Sequence, residues 1–432
     1  MNNRVLKNAS WIIVCKIIQS IISLIIGMIS ARYLGPSNYG LISYAGSLAA
    51  FVMPIMQLGL GKTLVQEFLE RPDREGEVLG TALVMNLVSA VACIAGIYVF
   101  LNIANAGETV TIVVGVLFSI CLIFQATEMI QYWFQSKLMS KYHSIASLIA
   151  YVVVAVYKVY LLVTSKDVVW FAVASSFDYC IISVVLLIIY NKKSSQKLKF
   201  SKDLVGIMLH RSKYYIVSTM MVTVFSQTDR IMLKLMLNES GTGYYSAAIN
   251  CINVTAFVFA AIIDSMRPTI LEAKIEKNNT RFENQMVMLY SVITYLSLLQ
   301  SLVMTIFAGV FVYLLYGSEF MAAAGALRIA VWYVTFSNYG MVRNIWILAE
   351  NKQKYLWRIN LSGALINVVL NFALIPYFGA AGAAAASLVT QFFTNVIIGY
   401  IIKDIRFNNR LMIKGLDPRP MFAYAKRVLK RK

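Results

Sequence analysis

Residues 11–34 read WIIVCKIIQSIISLIIGMISARYL, a run in which only Lys16 and Arg32 are charged. A helix rising about 1.5 Å per residue needs roughly 20 apolar residues to cross ~30 Å of hydrocarbon, so this run is long enough to span a bilayer. It follows Arg4 and Lys7 and in that respect imitates a signal peptide. It is too long for an h-region and carries two cations, so it is expected to stay in the mature protein.

The rest of the 432 residues has the same character, with 59% hydrophobic and 14% charged. A soluble domain is near half apolar and a quarter charged, which excludes soluble enzymes, nucleic-acid modules and disordered chains. The formal charge of +19 then measures first how much basic loop lies in the cytoplasm. Cys15, Cys93, Cys121, Cys180 and Cys251 all fall in apolar segments without a CxxC pair, and His143 and His210 sit beside basic residues. No disulfide, metal site or catalytic residue is expected from them.

Sliding a 20-residue window along the chain places twelve spans near residues 11–34, 41–61, 78–101, 110–133, 143–164, 168–190, 214–236, 244–266, 287–315, 326–349, 356–377 and 380–402. Among Lys and Arg, the odd-numbered connections hold only Lys166. The even-numbered ones and both ends hold the rest of the Lys and Arg outside the spans, including Lys192, Lys193, Lys197, Lys199, Lys202, Arg211 and Lys213 in the central connection and those at 426–432 in the tail. Both termini are therefore expected in the cytoplasm of a multi-pass cytoplasmic-membrane protein. The basic tail reads as a topogenic signal touching anionic lipid. The outer loops are too short to carry the acid, base or sugar-binding groups of a membrane glycan enzyme.

The chain also repeats itself weakly. An offset of 203 aligns Gly40, Ser43 and Ala45 with Gly243, Ser246 and Ala248. An offset of 213 aligns Trp133, Lys141 and Tyr142 with Trp346, Lys354 and Tyr355, the difference falling mostly in the longer ninth span. Six spans per half enter the membrane in the same direction, so the halves are parallel repeats. The expected organisation is an N-terminal six-helix bundle at 1–190, a basic cytoplasmic linker at 191–213, a C-terminal six-helix bundle at 214–402 and a basic cytoplasmic tail at 403–432. Two bundles facing each other would enclose a central cleft.

Charged residues inside spans cost about 2.5–3.5 kcal/mol on insertion scales and are expected to face protein or water. Lys16, Ser20, Ser23 and Gly27 share one helical face, and the repeat maps them onto Thr219, Thr223, Ser226 and Arg230, a stripe that Lys234 extends. Arg328, Trp332, Thr335, Tyr339 and Arg343 repeat the spacing in the tenth span, and Asn360, Asn367 and Asn371 line one face of the eleventh. Lys158 falls where the repeat puts Asn371. These cations and aromatics suit a lumen that meets phosphates and sugar rings, although asparagines also hydrogen-bond neighbouring helices. Arg32, near the outer end of the first span, suits snorkelling and a functional role equally. Glu128, Asp178, Asp229 and Asp264 are candidates for a coupling H⁺ or Na⁺, or else internal counter-ions. No GxxxxGK[ST] loop occurs, so the chain holds no nucleotide-hydrolysis module.

Three stretches resemble the polysaccharide (oligosaccharide or O-antigen) flippases of the superfamily that includes the MATE drug exporters. Residues 31–40, ARYLGPSNYG, are similar to that family's R-x-L-G-P-x-x-Y-G turn. Residues 132–135, YWFQ, end the fourth span, and 367–384, NVVLNFALIPYFGAAGAA, resemble its N-x-x-x-N-x-x-L-I-P-x-x-G-x-x-G-A-A stretch. The resemblance implies an all-α integral membrane protein with a MATE-like fold, twelve transmembrane helices in two six-helix bundles around a central cationic cleft. It implies no enzyme and no cofactor, but a flippase in a bacterial or archaeal membrane. Such a protein moves a polyprenyl-diphosphate-linked oligosaccharide to the outer leaflet for O-antigen (lipopolysaccharide), capsule or exopolysaccharide assembly. A glycan polymerase and a chain-length regulator are the associated candidate partners, nucleic acid is not one, and a monomer is expected. The rival is a MATE-type cation-coupled drug or metabolite exporter. Many bacterial members of that group carry an acid in the first span where this chain carries Lys16.

Overall fold

The computed structural model describes residues 3–419 and 421; the tail cations at 426–432 lie outside the described residues. The structure is 88% helix, with no strand among the described residues, as hydrocarbon requires of a chain that must satisfy its backbone polar groups internally. It divides into two compact units between Leu235 and Met236.

The first unit contains α1 (Asn3–Met56), α2 (Leu64–Glu70), α3 (Glu75–Ala104), α4 (Thr109–Ser119), α5 (Cys121–Ala126), α6 (Ile130–Ser136), α7 (Lys141–Val163), α8 (Val168–Lys193) and nearly all of α9 (Lys202–Met236). The second contains α10 (Glu239–Asn253), α11 (Ala256–Ile275), α12 (Asn279–Ile306), α13 (Ala308–Tyr316), α14 (Ala323–Ala330), α15 (Tyr333–Ala349), α16 (Leu356–Phe392), α17 (Ile398–Ile401) and α18 (Arg406–Lys414).

Among the described residues, seven helices are long and apolar enough to cross a membrane, or eight if the bent pair Glu239–Asn253 and Ala256–Ile275 is one span. The difference from the twelve expected spans has physical causes. Val14–Met56 and Gln353–Ile401 run 43 and 49 residues, about twice what ~30 Å of hydrocarbon needs. Each is broken at a glycine with positive φ, Gly35 at 68° and Gly379 at 57°. Only glycine takes such a conformation freely. At the second break the chain reverses: a β-carbon on Gly382 would collide with the Leu374 carbonyl, which a continuous helix would hold about 12 Å away. The expected spans at 214–236 and 326–349 miss the count because α9 is rich in polar side chains and because the helix breaks between α14 and α15.

Side-chain polarity follows lipid as solvent. Val88 and Val163, in α3 and α7, are 66% and 79% exposed, whereas Asn86 and Gln125 are buried. Among the described residues, the first unit's apolar core includes clusters around Leu60, Trp133 and Tyr190, around Tyr44, Met56 and Cys121, and around Leu41, Val114 and Phe171.

The basic segment at 191–213 is ordered and fastened to the first unit. α8 continues to Lys193, residues 194–201 form a strap across the start of α3, and α9 begins at Lys202. The Gly76 amide donates to Gln196 Oε1 (2.9 Å) and the Lys199 amide to the Gly76 carbonyl (3.1 Å). Gln196 Nε2 donates to the Pro72 carbonyl (2.9 Å) and the Ser201 amide to Thr81 Oγ1 (3.0 Å). Gly76 and Gly80, one helical turn apart, make room: a β-carbon at either would collide with the Lys197 or Lys199 carbonyl. Arg74 Nη2 donates to Asp203 Oδ2 (2.9 Å), and Arg211 Nη1 reaches Glu67 Oε1 (2.9 Å) and Glu70 Oε2 (2.6 Å). Ser201 and Arg74 hold the Asp203 carboxyl at about 2.

Gly80→Ala is expected to cost about 1–3 kcal/mol through overpacking against the strap. Gly96→Ala in the same helix has nothing within 4 Å of the new methyl and should be neutral or gain roughly 0.5–1 kcal/mol. Thermal unfolding of the two purified variants, read against the parent, should therefore show a lower midpoint for Gly80→Ala and an unchanged or higher one for Gly96→Ala.

Candidate functional site

In the first unit, Lys16, Ser20 and Ser23 lie on an uncovered stripe of α1, where the Ser20 hydroxyl donates to the Lys16 carbonyl (2.8 Å). Gly27 extends the stripe, with nothing within 4 Å of its β position. On α9 the adjacent Asp229 and Arg230 part company, as helical geometry of about 100° per residue requires. Asp229 is buried, and Arg230 is half-buried with Nη1 3.4 Å from Gln227 Oε1.

Lys234, one turn further, is buried, and its Nζ donates to Glu108 Oε2 at 2.6 Å. Glu108 also accepts from Thr111 Oγ1 (2.7 Å) and Asn105 Nδ2 (3.3 Å), and Asn105 Oδ1 accepts from the Tyr44 hydroxyl (2.9 Å). The connection at 105–109 thus ties Tyr44 of α1 to the ends of α3, α4 and α9 in one polar junction. Sequence reasoning named Lys234 but not Glu108. The available signal was an acid alone in the connection at 102–109 opposite a span-end lysine that needs a counter-charge.

Lys158 and Asp178 line a cavity of about 250 Å³ inside the first unit, with Gln125, Ser175 and Tyr179. Glu128 lies within electrostatic range of Asp178. The structure therefore brings together one residue expected on the substrate and two expected at the coupling ion. One Asp178 carboxylate oxygen and Gln125 Oε1 have no protein partner, so the cavity offers spare acceptors beside an ammonium.

In the second unit Arg328 is exposed and Trp332 half-buried, its indole donating to Thr305 Oγ1 (3.1 Å). Tyr339 and Arg343, on the same expected stripe, are packed inside the unit. The Tyr339 hydroxyl pairs with Thr294 Oγ1 (2.6 Å), and Arg343 Nη1 donates to the Thr394 carbonyl (2.6 Å). That carbonyl belongs to a π-helical segment, Phe393–Ile397, whose wider hydrogen-bond spacing disturbs the regular α pattern. Asn367 and Asn371 are fully buried and bonded to each other at 3.1 Å. Asp264 is exposed and pairs with Arg267 at 3.1 Å. No group of three or more His, Cys, Asp or Glu able to hold a metal ion occurs among the described residues.

Solved structures share this all-helical, multi-pass architecture. An inward-closed lipid II flippase MurJ matches with a TM-score of 0.73 at 12% identity, over 94% of this chain and 90% of that one. An inward-facing MATE-family multidrug resistance transporter of the MOP superfamily matches at 0.68 and 13% identity, over 91% and 95%. A MOP-superfamily transporter from Pyrococcus furiosus, described as having a binding pocket of reverse polarity, matches at 0.55 and 14%, over 94% and 96%. These neighbours are transporters and a flippase rather than enzymes. The chain belongs to the polysaccharide biosynthesis protein family, whose pattern matches residues 5–274. An uncharacterized membrane protein of Methanocaldococcus jannaschii is 25% identical over 260 residues, 56% of this chain and 48% of that protein, so the match spans about half the length of that relative.

Hydrogen bonding from Lys234, then from Thr111 and Asn105, holds the Glu108 carboxyl below its ordinary 4.5, against a smaller opposing effect of burial. A depressed folded value stabilises the protein above the ordinary pKa, and the gain is lost as pH falls through the lowered value. Glu108→Gln should therefore destabilise at pH 7 and converge on the parent well below pH 4.5. The cost should be about 1 kcal/mol, between the limits for exposed and buried pairs, because the Glu108 side chain keeps 42% exposure. Melting curves against pH for Glu108→Gln, Lys234→Met and the double variant measure both the sign and the coupling.

Proposed function

We propose that the chain is a flippase that moves a polyprenyl-diphosphate-linked oligosaccharide from the cytoplasmic to the outer leaflet. The observation that carries this reading is the uncovered polar stripe bearing Lys16 on α1 in a member of the polysaccharide biosynthesis family. A diphosphate crossing a region of low dielectric needs compensating charge. Lys16 and Arg230 in the first unit and Arg328 in the second are the side chains that supply it. Trp332 offers a ring face for a sugar. Lys234, Tyr339, Arg343, Asn367 and Asn371 act from within their units, holding helices in place for those three.

The product would feed O-antigen, capsule or other exopolysaccharide assembly, with a polymerase and chain-length regulator downstream. Both termini are placed in the cytoplasm by the asymmetry of Lys and Arg. The twelve spans form two repeated halves, at 1–190 and 214–402, that expose the cations alternately to the two membrane faces. The cavity that holds Lys158 and Asp178, with Glu128 nearby, is where H⁺ or Na⁺ coupling would act, because it combines titratable groups with unsatisfied acceptors. The rival reading, a MATE-type drug or metabolite exporter, rests on the shared fold. The cations Lys16, Arg230 and Arg328 disfavour it, since they repel cationic drugs.

At matched membrane levels, Lys16→Ala and Arg230→Ala should each lower surface-glycan export about tenfold or more, as expected for losing one charge-assisted phosphate contact of roughly 1.5–3 kcal/mol made in the occluded state. Lys197→Ala, on the exposed strap, should export normally. Wild-type export from both intramembrane variants would reject the mechanism, and a defect that follows abundance alone would assign the two cations to folding.

A further inference from the structure

We propose that the outward face of α18 is a docking surface for anionic phospholipid headgroups. The last apolar segment ends at Ile401, and α18 starts five residues later at Arg406. That spacing sets the helix at the boundary between hydrocarbon and water.

α18 is fixed in register by polar contacts along its inward side. The Tyr290 hydroxyl donates to Asn408 Oδ1 (2.9 Å), and Asn409 Nδ2 donates to the Val396 carbonyl (2.7 Å) in the π-helical segment. At its far end the Tyr295 hydroxyl donates to the Leu416 carbonyl (2.6 Å) and Ser291 Oγ to the Asp417 carbonyl (2.8 Å). Gly415 has no room for a β-carbon beside Tyr290. With Asn408, Asn409, Leu411 and Met412 buried, the helix cannot rotate, and what it shows outward is set.

At about 100° per residue, Arg406, Arg410 and Lys414 fall on one arc of α18 together with Phe407 and Ile413. The three cations are exposed. Arg406 Nη2 donates to the Tyr400 carbonyl (2.9 Å), and Lys414 is 4.0 Å from Glu283. Phe407, Ile413 and the following Leu416 are 41%, 50% and 52% exposed. In water, two large apolar side chains on a short helix and a third just beyond it would be a liability. At headgroup depth they enter the acyl boundary while the longer cationic side chains reach the phosphates. Charge complementarity selects anionic lipid over zwitterionic lipid, because the arc carries three cations and no acid.

Each Lys or Arg near the surface contributes about 1 kcal/mol toward anionic lipid, or roughly fivefold in preference. The test places a bimane on Ile413→Cys in the full chain carrying Cys180→Ser, reconstituted in phosphatidylcholine mixed with phosphatidylglycerol. Spin-labelled phosphatidylglycerol should quench the probe more than spin-labelled phosphatidylcholine at equal mole fraction, and iodide should quench it little. Arg410→Gln should lower the preference about fivefold, Arg410→Lys should retain it, and neutralising Arg406, Arg410 and Lys414 together should abolish it. Neutralising Lys192 and Lys193 should leave it unchanged. Equal quenching by the two lipids, or an equal loss in the Lys192 and Lys193 control, would overturn the proposal. So would ready access by iodide, or protection from lipid and iodide alike, which would mean that another protein chain covers the face. Displacement of the lipid preference by inorganic phosphate at constant ionic strength would also overturn it, by assigning a soluble-anion site in place of a lipid surface.

Discussion

A polar group placed in hydrocarbon has no water to fall back on, and the protein is arranged around that constraint. Its backbone answers by being helical almost throughout, so that amides and carbonyls pair within the same segment. Its side chains answer by pairing near the ends of spans. Lys234 with Glu108 makes one such junction, and Arg211 with Glu67 and Glu70 makes another. Between them α9 is joined by ion pairs to two different connections of the first unit. A helix that the internal repeat assigns to the second half is therefore held, in this conformation, by the first.

Close backbone approach does comparable work at the strap. Removing the side chain at two positions a helical turn apart lets residues 194–201 lie directly on α3, where their amides and carbonyls find partners they would otherwise take from water. The basic character of this segment and its fixed geometry are separate matters. Charge sets on which side of the membrane it stays, and Gly76, Gly80, Thr81 and Gln196 set where it sits.

The second unit relies on buried polar contacts. Arg343 and Asn409 each donate to a carbonyl of the π-helical segment, Thr394 and Val396, from two different helices. A π-helical turn loosens the regular i to i−4 pattern, and long side chains with several donors are suited to supplementing it. Substrate recognition and helix packing use the same residue types for the same reason, namely their capacity to hydrogen-bond. That is why a polar stripe read along a helix does not by itself tell the two roles apart.

Much of the architecture was legible in residues alone. The apolar run at 11–34 sufficed for the membrane class, because soluble packing has no need of so long an apolar stretch interrupted by only Lys16 and Arg32. The turn at Gly35 and the break at Gly379 were legible because glycine is the residue that takes positive φ at little cost. Periodicity also found the stripes. What periodicity could not give is how far each stripe stays uncovered. Arg328 and Arg343 share one stripe in the sequence, yet the break between α14 and α15 leaves the first exposed and packs the second inside. The pairing of Lys234 with Glu108 spans 126 residues, and the meeting of Lys158 with Asp178 depends on how α7 packs against α8. Sequence determined which side chains needed a partner, because the cost of an unpaired charge in hydrocarbon is a property of the residue. Only tertiary packing decided which partner each received, because that depends on distances between helices that no local pattern encodes.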